Sequence, residues 1–294
     1  GQIVLQPGCQ GLPIHFEISG DLTPAQIFVG RGKVSPKSIR FTLAMQDRHA
    51  HAWADFNDDG LMDIFINRGA LGGTLRAHGE QVAQSIRDEF FLSLGPGRFR
   101  ESSQDKGIRK EGCSGRHAKW VDYDGDGRLD LFVNCYDRGH VAGNFSKQLY
   151  RQTEVRTLLN VAAETGIDLP DQQMGSIAWL DLDQDGDADL LAFQDAGVFL
   201  YRNQDNRYVQ ETVVLLDLKG APKIGQTNLD YWIYDGKLAV MDYDADGDLD
   251  VFLASRRGNR LLINRDGRLE AVLPSSLGLP TASATANWAD YDND

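Results

Sequence analysis

Cysteine is scarce in this chain: Cys9, Cys113 and Cys135 are the only three in 294 residues. They are too few and too scattered for a disulfide framework or a zinc site. Cys113 and Cys135 flank one acidic loop and can approach across its hairpin, which leaves one disulfide or two free thiols as the alternatives. Long apolar runs are missing as well, so no segment reads as a membrane-spanning helix. The amino terminus lacks a basic stretch followed by a short apolar run, so any export signal has been removed or lies outside this sequence. Positive charge is in deficit, with 30 Lys and Arg against 43 Asp and Glu and a formal net charge of -13. Without a basic stripe, a nucleic-acid partner is not expected. There is also no Ser/His/Asp constellation, paired cysteine or phosphate-cradling glycine loop to support chemistry.

What the chain does have is a recurring acidic loop, clearest at Asp122, Tyr123, Asp124, Gly125, Asp126, Gly127, Arg128, Leu129, Asp130. Carboxylates at the first, third, fifth and ninth positions, with Gly at the sixth, form an oxygen cage for one cation. A tight loop turns alternate side chains inward, Gly permits the bend, and the backbone carbonyl of the seventh residue adds an oxygen. Calcium fits this donor set. Magnesium prefers fewer protein ligands, and zinc wants Cys or His. The pattern returns as Asp55, Asn57, Asp59, Gly60, Asp63, as Asp181, Asp183, Asp185, Gly186, Asp189, and as Asp242, Asp244, Asp246, Gly247, Asp250. The seventh-position carbonyls would come from Leu61, Arg128, Asp187 and Asp248. A fifth copy begins at Asp290, Asp292 and Asp294, so the sequence is expected to break off inside a loop. Much of the net negative charge is therefore metal-binding capacity. Asn57 removes one carboxylate, which predicts a weaker first site.

These loops are not EF-hands, which need a bidentate Glu at position 12 and helices on both sides. Position 12 is here Ile66, Val133, Ala192 or Leu253. The flanks read as strands, for example Ala118 to Val121 before the loop and Leu131 to Val133 after it. Each loop is therefore expected to be the metal-clamped turn of a β-hairpin.

Taken in order, residues 1–47 hold three strand patterns (Ile14 to Ile18, Gln26 to Val29, Ser38 to Leu43) and read as the outer strands of a first blade. Residues 48–108, 109–168, 169–236 and 237–279 are four repeats, each with a loop and about four short strands, and 280–294 opens a further one. A period of about sixty residues with four strands per unit predicts an all-β fold, a β-propeller of four-stranded blades, in one domain over 1–294. Trp53, Trp120, Trp179 and Trp288 each stand two residues before the first Asp of a loop, with Val240 in that place in the fourth repeat. They read as packing residues between repeats more readily than as sugar-stacking platforms. Two connections stand out, Gly69 to Asp88, with a short helix expected at Glu80 to Asp88, and Lys219 to Tyr234. Asn144, Phe145 and Ser146 form a glycosylation acceptor.

The four loops, the preceding Ala52, Trp53, Ala54, Asp55, the strand Phe199, Leu200, Tyr201, Arg202, Asn203, and the pairs Gly107, Ile108 and Gly166, Ile167 resemble the FG-GAP and VCBS repeat families, calcium-binding propellers typified by the integrin alpha-chain head. The resemblance runs from about residue 48 onward. It implies an extracellular, cell-surface or periplasmic module that binds a protein or glycan, with Ca²⁺ in each loop. It also implies seven blades in full, of which this chain would cover about five; a closed five-bladed ring, completed by Thr285 to Asp290, is the alternative. The rival functional readings are a non-catalytic domain of a larger secreted enzyme and a propeller enzyme acting on carbohydrate, for which His49, His51 and His117 are the candidates. Histidines lining a polar channel are the plainer account of those three.

Overall fold

The computed structural model describes residues 14–17, 25–29, 39–43, 48–68, 88–108, 115–135, 146–169, 174–194, 197–215, 236–256 and 258–289. The structure is all-β. β1 (Ile14–Glu17), β2 (Ala25–Val29) and β3 (Ile39–Leu43) form a three-stranded antiparallel sheet in that order. Four sheets of four strands follow, each built from consecutive strands as a meander: β4 (Arg48–Ala54), β5 (Asp63–Arg68), β6 (Glu89–Ser93), β7 (Phe99–Glu101); then β8 (Gly115–Val121), β9 (Asp130–Cys135), β10 (Gln148–Gln152), β11 (Leu158–Asn160). The third comprises β12 (Met174–Leu180), β13 (Asp189–Gln194), β14 (Gly197–Gln204), β15 (Arg207–Leu215), and the fourth β16 (Gly236–Met241), β17 (Asp250–Ser255), β18 (Arg260–Arg265), β19 (Arg268–Val272). Each is a four-stranded antiparallel blade of the propeller type.

The second strand of each blade explains why these segments read as apolar runs with no alternation. Ile64, Phe65 and Ile66 in β5, Leu131, Phe132 and Val133 in β9, Leu190 to Phe193 in β13 and Val251 to Ala254 in β17 are all buried. A strand buried on both faces has no polar face to alternate with. The fourth strands meet solvent instead: Leu159 on β11 and Val209 on β15 are exposed.

The chain divides into two compact units, Gly1–Trp120 with Leu129–Asn160, and Val121–Arg128 with Val161–Asp294. In the first, Phe56, Phe65, Phe90, Leu92, Leu131, Val133 and Tyr150 form one core, with Trp120 packed against it. Trp120 lies 5.8 Å from both Phe56 and Phe90, centroid to centroid, so it fills the gap between its own repeat and the preceding one. In the second unit, Leu180, Leu191, Phe193 and Leu200 of one blade share a core with Leu253 and Leu262 of the next. Trp288 packs on Tyr243 and Phe252 of the fourth blade. The packing role expected of the tryptophans holds for Trp120 and Trp288. Trp53 and Trp179 instead meet Phe99 and Tyr208 of their own blades.

Repeats close on a Gly–apolar pair in a left-handed turn. Ile108 N–H donates to the Ser103 carbonyl and Ile167 N–H to that of Ala162, both at 2.9 Å. The latter ends the short helix α1 (Ala162–Thr165), capped by Gly166. Gly278 and Leu279 repeat the arrangement, Leu279 N–H reaching Pro274 O at 3.0 Å, a third copy that its different flanking sequence conceals. The closing turns differ in what they lean on. A Cβ at Gly107 would lie 2.4 Å from the Leu158 carbonyl oxygen of β11, whereas one at Gly166 would lie 3.7 Å from the Tyr208 oxygen of β15. Both glycines have positive φ, 86° and 77°, so Ala costs about 1–2 kcal/mol at either. Overpacking adds about 1–3 kcal/mol at Gly107 alone. Urea unfolding should therefore show Gly107→Ala clearly more destabilised than Gly166→Ala; equal losses would mean that the backbone at Leu158 yields freely.

Candidate metal centre

The four complete loops, Asp55–Asp63, Asp122–Asp130, Asp181–Asp189 and Asp242–Asp250, each join the first strand of a blade to the second. Their backbone path is shared. The fourth and sixth residues are left-handed in every copy: Asp58 and Gly60, Gly125 and Gly127, Gln184 and Gly186, Ala245 and Gly247. Glycine at the sixth position satisfies one of these bends. The other is signalled in the sequence only by Gly125, and three non-glycine residues carry the strain.

The first carboxylate organises the turn. Asp55 accepts the N–H of Asp59 (3.0 Å) and Gly60 (2.8 Å), and Asp122 accepts those of Asp126 (3.0 Å) and Gly127 (2.8 Å). Asp181 takes Asp185 and Gly186, both at 3.1 Å, and Asp242 takes Gly247 at 3.1 Å. The fifth-position carboxylates accept the N–H two residues on, at Leu61, Arg128, Asp187 and Asp248. Carboxylate oxygens of Asp122, Asp124 and Asp130, of Asp181, Asp183 and Asp185, and of Asp242, Asp244 and Asp246 converge within 4.8 Å of one another. The first loop, with Asn57 in third place, forms no such trio among the described residues. There Asn57 Nδ2 donates to Asp59 Oδ2 at 2.9 Å, while its Oδ1 is buried and accepts no hydrogen bond. An all-oxygen donor set with a spare buried amide oxygen fits a hard cation. Asp290, Asp292 and Asp294 lie outside the described residues, as do Cys113, Asn144, 69–87 and 216–235.

The ninth-position aspartate does more than its spacing announces. Asp63, Asp130, Asp189 and Asp250 are all buried. One oxygen of each accepts a backbone N–H of the third strand of its blade: Ser93, Gln152 and Asn203 at 2.7 Å, Asn264 at 2.8 Å. The other oxygen of Asp63 and of Asp250 takes the N–H of the loop's second residue, Phe56 at 3.1 Å and Tyr243 at 2.7 Å. Burial pushes the Asp63 and Asp189 carboxyls up to about 6 against the pull of these amides, and pushes Asp250 up as well. Asp187, beside Asp185 and Asp189, is raised to about 7 by burial and then by those neighbours. The loops are thus charged beyond what they hold comfortably without a counter-ion.

The same third-strand residues reach back to the preceding repeat. Gln152 Nε2 donates to Phe56 O at 3.0 Å, Asn203 Nδ2 to Tyr123 O at 2.8 Å, and Asn264 Nδ2 to Leu182 O at 2.8 Å. Each acceptor is the second residue of the previous loop, so one amide side chain ties two loops together. The signal in the sequence is an amide residue one place before the end of the third strand, as in Tyr201, Arg202, Asn203 and Leu262, Ile263, Asn264. Truncating Asn264 to Ala leaves the Leu182 carbonyl without its donor and should cost about 1–3 kcal/mol in urea unfolding. A loss under about 0.5 kcal/mol would show that water takes the amide's place.

Among the described residues no candidate metal group includes a histidine. His51, on β4, is half-buried, and burial and then the nearby Lys119 charge lower its pKa below the usual imidazole value. His117 is half-buried on β8, and the side chain of His49 is outside the description.

No curated protein matches the chain closely enough to count as a relative. Among solved structures, an Agrocybe aegerita lectin described as recognising non-reducing terminal N-acetylglucosamine aligns over 92% of this chain and 79% of its own, with 12% identity and a TM-score of 0.43. The V. cholerae biofilm matrix protein Bap1 aligns over 96% of this chain and 39% of its own (14% identity, TM-score 0.46). The Photorhabdus luminescens Tc holotoxin pore aligns over 92% and 12% (14% identity, TM-score 0.40). Residues 242–294 match the family model of the FG-GAP-like repeat, a segment that starts on the first aspartate of the fourth loop. The resemblance read from the loops thus meets a family match over residues 242–294, where the fourth loop begins.

Proposed function

We propose that the chain is a calcium-binding propeller module that works outside the cytoplasm as a non-catalytic scaffold for a protein or glycan partner. The observation that carries this is the common geometry of the four hairpin loops, in which carboxylates at equivalent places are oriented by the same backbone amides. Asp55, Asn57, Asp59 and Asp63, and their counterparts Asp122, Asp124, Asp126 and Asp130, would hold one ion each. So would Asp181, Asp183, Asp185 and Asp189, and Asp242, Asp244, Asp246 and Asp250. The carbonyls of Leu61, Arg128, Asp187 and Asp248 complete the sets, and Asp290, Asp292 and Asp294 belong to a fifth. Bound calcium supplies positive charge that cancels the repulsion within each loop. The loops' own part is to present those oxygens from a turn already shaped by hydrogen bonds.

The setting is supported by Cys135, which is disulfide-bonded. Stable disulfides belong to oxidising compartments. No helix among the described residues is long and apolar enough to cross a membrane. The partner surface is assigned to the connections where the repeats differ most, Gly69 to Asp88 and Lys219 to Tyr234. Asp88, at the end of the first, is buried and accepts Asn67 Nδ2 at 2.9 Å, which anchors that connection to the blade.

Calcium that binds only the folded chain at a hundredfold excess over its Kd stabilises it by about 2.7 kcal/mol per site, so chelator should lower the Tm clearly. The size of that drop should depend on pH. Asp63 and Asp189 titrate near 6 in the folded metal-free chain, above the ordinary carboxylate range of about 4. Their stabilising contribution is present below that ordinary range and is lost as pH rises through about 6. Calcium needs the ionised forms and gains affinity over the same window. The Tm gap between calcium and chelator should therefore widen from pH 5 to 7.5; a gap absent at every pH would refute the calcium reading. The partner half is checked separately. Deleting Gly72 to Ser85 should abolish capture of glycan or protein ligands while leaving calcium content unchanged, and retained capture would move the surface elsewhere.

A further inference from the structure

A cation from another strand reaches into loop 181–189. Arg202, on β14, places Nη1 at 2.6 Å from Asp183 Oδ2 and 3.7 Å from Asp189 Oδ2, the third- and ninth-position ligands. It is held there from outside the loop. Nη2 donates to the Gly267 carbonyl at 2.7 Å, in the β18–β19 turn of the next blade, and Nε lies 3.4 Å from Glu211 Oε1. Its side chain is only 14% exposed, so solvent screens these pairs poorly. The fourth loop has a looser counterpart: Arg265 stands 3.4 Å from Asp244 and 3.8 Å from Asp246, and is 52% exposed. At the register of Arg202 the first and fourth repeats carry Leu92 and Ile263, which bring no charge, while the second carries Arg151.

We propose that Arg202 is a built-in counter-ion of the third loop, which keeps that loop and its link to the fourth blade ordered without metal and weakens calcium binding there. The inference rests on the calcium reading of the loops. A guanidinium and a divalent ion that share Asp183 and Asp189 compete for the same oxygens, and their charges repel across a few ångströms. The other consequence is structural. Because Arg202 also bonds the Gly267 carbonyl, the tie between the third and fourth blades does not depend on the ion.

The test compares wild type, Arg202→Gln and Arg202→Lys by calcium calorimetry and by melting with calcium or chelator. Gln removes the charge, and Lys retains it while losing the planar fork. Arg202→Gln should tighten one calcium-binding component by roughly tenfold, since two units of calcium charge no longer face a third at close range. That component should disappear in Arg202→Gln/Asp181→Ala, which assigns it to this loop. Arg202→Lys should bind calcium like wild type. In chelator Arg202→Gln should melt several degrees below wild type, and calcium should close most of the difference. If Arg202→Gln does not fold, Arg202→Met keeps the packed stem and carries the same expectation. The inference is overturned if the neutral variant binds calcium no more tightly, if Lys behaves like Gln, or if the melting deficit is equal with and without calcium. Absence of calcium binding in wild type itself would instead overturn the underlying reading of the loops.

Discussion

A carboxylate buried inside each blade is the constraint on which the rest depends. Asp63, Asp130, Asp189 and Asp250 have no access to water, and a buried carboxylate without partners is too costly to keep. Each is bonded by an amide of the third strand, and Asp63 and Asp250 also by an amide of their own loops. Those bonds hold the loop to the third strand as well as to the two strands it connects. A hairpin turn thereby becomes a joint of three strands. The second strand, buried on both faces, can then be purely apolar, because polar recognition is concentrated at its first residue.

The same joint extends to the neighbouring repeat. The residue whose backbone satisfies the ninth aspartate uses its side-chain amide to satisfy the carbonyl of the previous loop, in Gln152, Asn203 and Asn264 alike. Buried backbone carbonyls must find donors. Here the donor comes from the next unit of the repeat, so local hydrogen-bond satisfaction and the stacking of repeats are one requirement. The aromatic contacts of Trp120 and Trp288 add apolar area to the same junctions.

Concentrating carboxylates in a nine-residue turn creates a demand for positive charge that a proton, an arginine or a metal can each meet. The raised Asp63, Asp187 and Asp189 show the proton's share, and Arg202 and Arg265 show the arginine's. The repeats are alike in backbone and unlike in this balance: Asn57 lowers the demand in the first loop, while Arg202 answers part of it in the third.

The sequence by itself determined the blade plan. Spacing of Asp with Gly at the sixth place marked the first hairpin turn of each blade, and the apolar runs beside it read as the strands that the turn joins. Both signals are local, since φ/ψ preference and hydrophobic patterning act over a few residues. Gly107 and Gly166 were legible for the same reason, whereas Gly278 was hidden by a changed context. What only the tertiary structure decided were relations between distant residues: that Asp189 meets Asn203, that Asn264 reaches Leu182, that Gly107 rests on Leu158 while Gly166 has room, and that Arg202 turns toward Asp183. No spacing rule carries these. They depend on which strand comes to lie beside which loop, and that is settled when buried polar groups across repeats must find one another.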